Sequence, residues 1–171
     1  MRTIIFLLFL IPFFATAQKQ DVYIRLTDAN GKQVNGDAVT KGFEKWMQGL
    51  STSSGGKSNT QFSFTMNITG ASADLKRALA NGEFLMNGQV NVMQTINGAY
   101  TPQPVYFIKM EKIRVLSCAE AMGCNGVMTT TVSLQATRIG WTYYQTGKTG
   151  APSVSNKFGY DAETGGSWTN F

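Results

Sequence analysis

Cys118 and Cys124 are separated by AEAMG and are the only thiols in the chain. Two such groups can pair, remain free, or serve a metal. A tetrahedral zinc would lack two ligands, and the 171 residues contain no histidine to supply them. The same gap removes Ser–His–Asp and Cys–His nucleophile systems and histidine acid–base chemistry. STSSGGKS, Ser51 to Ser58, approaches the phosphate-binding pattern G-x-x-x-x-G-K-[ST]. Ser51 replaces its leading glycine, however, and no helical pattern follows at Asn59, although a helix N-terminus is what holds the phosphate. Asp161 and Glu163 share a strand parity but sit in a turn-rich tail, so they read as a solvated pair rather than the two carboxylates of a glycosidase. Asn67-Ile68-Thr69 fits a glycosylation sequon too short to carry weight. The expectation is a protein that is not an enzyme and uses no cofactor or metal.

The elements that must position these residues begin after a leader. Arg2, the apolar run Ile4 to Phe14 and the small residues Ala15 to Ala17 predict a secretory signal over residues 1–17, cleaved between Ala17 and Gln18. The run is shorter than the roughly 20 residues of a membrane-spanning helix. Residues 18–171 then form one domain, exported across the inner membrane to the periplasm, cell surface or medium. In that oxidising setting Cys118 and Cys124 are expected to pair across a short hairpin loop. The closure is worth roughly 2.4 kcal/mol on the chain-entropy view, and two free thiols are the other reading. The formal charge of +5 becomes +4 when Arg2 leaves with the signal. The basic residues are scattered, so neither a nucleic acid nor, after cleavage, a membrane is expected as a partner.

Period-two alternation dominates the domain. VYIRL places Val22, Ile24 and Leu26 on one face, and QFSFTMNI does the same with Phe62, Phe64 and Met66. STSSGGKSNT reads as an exposed loop. ASADLKRALANGEF predicts the one short helix, with Ser72 as N-cap, Asp74 in the first turn and Gly82 as terminator. Its apolar stripe is Leu75, Ala78 and Leu79. Two long strands change parity midway: Tyr106, Ile108 and Met110 give way to Ile113 and Val115, and Val132, Leu134 and Ala136 to Ile139, Trp141 and Tyr143. Matching slips on neighbouring strands predict an antiparallel pair that bends sharply, as barrel closure requires.

In order and spacing, DVYIRLTD, FSFTMNITGASADLKRALANGEF, VYFIKMEKIRVLS, TTTVSLQATRIGWTYY and FGYDAETGGSW make the chain resemble the haemolysin-coregulated protein (Hcp) family of type VI secretion tube subunits. The resemblance implies a small antiparallel β-barrel of two curved sheets with one short α-helix at its side. It also implies self-association into hexameric rings that can stack into a tube and hold protein cargo. The helix would then help form the outer or subunit-contacting wall, with Lys76 and Arg77 facing solvent or a neighbour. One stretch departs from the family pattern: LSTSSG, Leu50 to Gly55, has Thr52 and Ser54 where L-x-W-x-W-G carries tryptophans. Ser51 and Ser53 are the expected lumen- or cargo-facing residues. The alternative function is an exported monomeric or dimeric binding module for a peptide, glycan or protein.

Overall fold

Alternating apolar residues have little choice but to share one interior when their strands curve, and among the described residues six strands do so here. The structure, a computed structural model, describes residues 19–55, 60–95, 102–123, 126–146 and 151–171. The elements are β1 (Gln20–Thr27), β2 (Met47–Ser54), β3 (Gln61–Asn67), α1 (Gly70–Asn81), β4 (Phe84–Gln94), β5 (Gln103–Met122), β6 (Met128–Thr146), β7 (Pro152–Asp161) and β8 (Gly166–Ser167). The strand order is β3-β2-β1-β4-β5-β6, and pairing of β3 with β6 closes the ring. The first six strands thus form a closed antiparallel barrel, with β7 and β8 outside it. Ile24, Leu26, Phe62, Phe64, Met66, Val90, Ile108, Met110 and Leu134 fill its interior.

The expected bend is present, and it falls at facing residues. Glu111 pairs with Arg138 and Ile113 with Ala136, which sets Lys112 against Thr137, and the Thr137 hydroxyl donates to the Lys112 carbonyl at 3.2 Å. Lys112 adopts φ 54°, a left-handed conformation that costs an L-residue about 1–2 kcal/mol. That local strain lets Ile108 and Met110 on one side and Ile113 and Val115 on the other all remain buried. Beyond the bend β6 changes partner: residues 129–135 pair with β3, and residues 138–146 pair with β7.

The helix start differs from the expectation. Thr69 is the N-cap, and its side chain accepts from the Ala71 amide. Ser72 occupies the third helical position and its hydroxyl accepts from the Thr69 amide, completing a capping box. Asp74 therefore lies past the first turn, where it pairs with Arg77 at 2.9 Å. Gly82 ends the helix in the left-handed region at φ 63°, as expected of a C-terminal glycine. Leu75 and Ala78 are buried and Leu79 packs beside them. Lys76 and Arg77 are both exposed, and the Lys76 ammonium binds Glu120 on β5 at 2.6 Å.

Two further corrections concern the loop-like stretch and the acidic pair. The Ser51 end of the phosphate-loop-like stretch is strand, because β2 continues to Ser54. Gly56, Lys57, Ser58 and Asn59 lie outside the described residues, and Thr60 leads into β3 rather than a helix. Asp161 is not solvated: it is 6% exposed and accepts from the Arg138 guanidinium at 2.8 Å. Tyr23, on the outward parity of β1, is nevertheless buried. Phe43 stacks on it at 4.2 Å, and its hydroxyl donates to Thr40. The cleavage site at Ala17 and Gln18 lies outside the described residues.

Candidate functional site: an uncharged hydroxyl face

Alternation decides what β2, β3 and β6 show to the outside. Phe62, Phe64 and Met66 turn inward on β3, so Ser63 and Thr65 turn outward. Register then aligns small hydroxyl residues across four strands. Ser53 pairs with Ser63, Ser63 with Ser133, and Ser133 with Ser117. In the next row Ser51 pairs with Thr65, Thr65 with Thr131, and Thr131 with Ala119. Both expected lumen residues, Ser51 and Ser53, are exposed and belong to this face.

The rows are held loosely. Ser63 and Ser133 share a hydrogen bond of 2.9 Å, and Thr65 and Thr131 one of 3.0 Å. Such cross-strand pairs contribute about 0.2–1 kcal/mol. The sequence reading missed Ser63, Thr65, Ser117, Thr131 and Ser133. The signal was available: in QFSFT and TTTVSL the polar phase is made only of Ser and Thr around the centre of each strand. Hydroxyls there offer donors and acceptors without ionisation. They form a surface for contact; they do not assemble a nucleophile with a base.

Thr52 and Ser54, at the positions where the family pattern has tryptophans, pair with Phe64 and Phe62 and so carry the inward parity. Both are nonetheless exposed. The Ser54 hydroxyl reaches the Tyr106 hydroxyl at 3.4 Å, and the Tyr106 and Tyr143 rings lie 4.8 Å apart. Burial pushes the Tyr106 phenol well above its ordinary range.

Cys118 is not in a short loop. It stands within β5 opposite Val132, half-buried with a free thiol, and burial raises that thiol's pKa. Cys124 lies outside the described residues. The run from Cys118 to Met122 spans about 13 Å at strand rise, against a Cα separation of at most about 7 Å in a disulfide. No group of three or more potential metal ligands occurs among the described residues, and no helix there is long and apolar enough to cross a membrane.

The described residues form a closed six-strand barrel with one lateral helix and two sharply bent strands. The family model described as "Type VI secretion system effector, Hcp" matches residues 23–143. The chain belongs to the Hcp family. The structure is similar to that of Hcp1 from Salmonella typhimurium, with a TM-score of 0.71 at 16% identity, covering 87% of this chain and 99% of that one. A solved type six secretion system protein gives 0.72 at 18% identity, covering 88% and 100%. The secreted protein Hcp3 of Pseudomonas aeruginosa gives 0.63 at 17%, covering 81% and 98%. No curated protein matches the sequence. At these identities the structural likeness speaks for the fold, and the fold is shared over almost the whole of each relative.

Proposed function

We propose that the mature chain is a structural subunit that closes into hexameric rings with the hydroxyl face turned toward the central channel. The observation that carries this reading is the uncharged face itself. Four strands present Ser51, Ser53, Ser63, Thr65, Thr131, Ser133 and Ser117 with no ionised side chain among them, on a chain of the Hcp family. A channel wall of this kind offers hydrogen bonds without a strong field, so a folded protein cargo can be held without regard to its charge. Stacking of rings into a tube follows if both rims meet further copies. No catalytic step is assigned to the subunit. The leader, residues 1–17, would deliver it across the inner membrane, which places the rings outside the cytoplasm, at odds with a tube built inside it.

Negative-stain microscopy with native mass spectrometry of the chain beginning at Gln18 tests the proposal. Rings of six copies are the expected particles. A strictly monomeric or dimeric species at high concentration overturns the ring reading and favours the exported binding module.

A further inference from the structure

The outer surface above and across the bend is built differently. One register row crosses five strands as Thr27, Asn87, Glu111, Arg138 and Asp161. Beside it runs a second, Arg25, Gln89, Lys109, Gly140 and Gly159. Two cavities follow these rows, and a third adjoins them across the bend. One of about 200 Å³ is lined wholly by polar residues, Arg25, Thr27, Asn87 and Gln89. It shares Asn87 with one of about 310 Å³ that reaches Glu111, Lys112 and Arg138. That cavity shares Lys112, Thr137 and Glu163 with a third of about 280 Å³, which ends at Arg114 and Phe84. Adjoining through these shared residues, the three line a trough that crosses the bend.

Within the trough, charge is spent unevenly. Lys112 is bonded to Glu163, and Arg138 to Asp161 and Glu111. Arg25 and Arg114 have no carboxylate partner among the described residues. Each guanidinium instead lies over an aromatic ring, Arg25 on Trp46 at 5.8 Å and Arg114 on Phe84 at 5.3 Å. The side-chain amides of Asn87 and Gln89 make no hydrogen bond among the described residues. The trough therefore has a free cation and a ring at each end, with uncommitted amides and neutralised ion pairs between. From strand spacing and rise, the two arginines stand about 15–20 Å apart.

We propose that this trough binds an extended acidic oligosaccharide, one bearing carboxylates on a chain of vicinal hydroxyls. Planar bidentate side chains such as Asn, Gln and Arg match neighbouring hydroxyl or carboxylate oxygens, and half-exposed rings match the apolar face of a sugar. A peptide strand is poorly served. β4, β5 and β6 are paired along both edges at these rows, so no free backbone edge is offered for strand addition. The apolar lining that would seat side chains is confined to Met86, Phe84, Ala136 and Ala162.

Isothermal titration of the full-length mature chain with tetragalacturonic acid tests this, with cellotetraose and a short polyglutamate as comparison probes. Saturable binding of the uronide is expected, at least tenfold tighter than either comparison. Arg25→Gln and Arg114→Gln should each weaken it at least fivefold. Asn87→Leu, which blocks the junction of two cavities, should abolish it, whereas Lys32→Gln, a charge removed elsewhere, should leave it unchanged. Circular dichroism melting establishes that each variant is folded. No uronide binding at millimolar concentration overturns the site. Equal binding of polyglutamate overturns the sugar class, and affinity that survives Asn87→Leu in a folded protein overturns the location.

Discussion

The outer surfaces of β5 and β6 differ on the two sides of the bend at Lys112 and Thr137. Below it, Ser117, Ala119, Thr131 and Ser133 form a flat face of small hydroxyl and methyl groups. Above it, Lys109, Glu111 and Arg138 make an ionic surface, and Gly140 lies under an aromatic roof. The interior is one continuous apolar cluster across both regions. Surface chemistry is thus set rung by rung while the barrel beneath stays the same. Small residues show the contrast most clearly. Serines are small on the lower face because nothing need cover them. Gly140 and Gly159 are small because Phe171 lies across them: a Cβ added at either would overlap its ring, and at Gly159 also the Trp168 carbonyl oxygen. Lys157 donates to the Phe171 carbonyl oxygen and sits over its ring at 4.2 Å.

Breaking that contrast should have its largest effect at Gly159. Gly159→Val forces a branched side chain into space filled by backbone and ring, so the segment from Trp168 to Phe171 must lift off. Overpacking of this kind costs about 1–3 kcal/mol, occasionally more, and the upper end is expected because carbonyl oxygen cannot rotate aside. For a domain of this size the melting midpoint should fall by about 6–12 °C, with increased exposure of Trp168 to fluorescence quenchers. An unchanged midpoint would mean that the roof is not seated on the glycine pair.

The same hydroxyl chemistry occurs buried and exposed, which permits a second test. The Ser72 and Thr130 hydroxyls bond at 2.9 Å where α1 meets β6, and Thr130 is fully buried. Ser72→Ala leaves the Thr130 hydroxyl without its partner, and a loss of about 1–2 kcal/mol in denaturant unfolding is expected. The Ser72→Ala, Thr130→Val double variant should recover part of it, since no orphan remains. Failure of the double variant to recover any stability would assign the loss to the capping bond of Ser72 instead.

The ionic surface should respond to acid and the hydroxyl face should not. The Arg138 guanidinium, followed by amide bonds from Glu163 and Thr164, holds the Asp161 carboxyl below its ordinary pKa. A carboxyl lowered on folding stabilises the native state above its unfolded pKa, near 4. That contribution is lost as pH falls through the folded value. Melting midpoints measured from pH 5 down to pH 2.5 should therefore decline less steeply in Asp161→Asn than in the parent chain. Equal slopes would show that the pair with Arg138 adds nothing to the acid sensitivity.

How much of this could be read beforehand depended on whether a feature was periodic or spatial. The parity slips at Ile113 and Ile139 announced the bend because one residue of offset exposes an entire strand face. Gly82 and the Leu75–Ala78 stripe marked the helix for equally local reasons, although Thr69 competed with Ser72 for the cap and won. β2 was half hidden, since STSS lacks any apolar alternation and is a strand only because β3 pairs with it. The trough was not legible at all. Arg25, Asn87 and Arg114 belong to three different strands, and only register brings them onto one surface. The setting of Cys118 was misjudged for a related reason: its neighbours read as a hairpin loop, but β5 continues through Met122.

The smallest expected effect is the sharpest test of the hydroxyl face. Thr65→Val removes the 3.0 Å bond to Thr131 but keeps the branched shape that strands favour. Both hydroxyls are within reach of water, so Thr131 exchanges one partner for another, and the loss should stay within about 0.5 kcal/mol. A fall in the melting midpoint of only one or two degrees is then expected. The comparison with Ser72→Ala depends on this near-neutrality, because the two bonds have almost the same length and differ in burial. A large loss at Thr65 would make the rows a structural ladder that holds β3 to β6. Their hydroxyls would then be committed to the barrel rather than free to meet whatever lies in the channel.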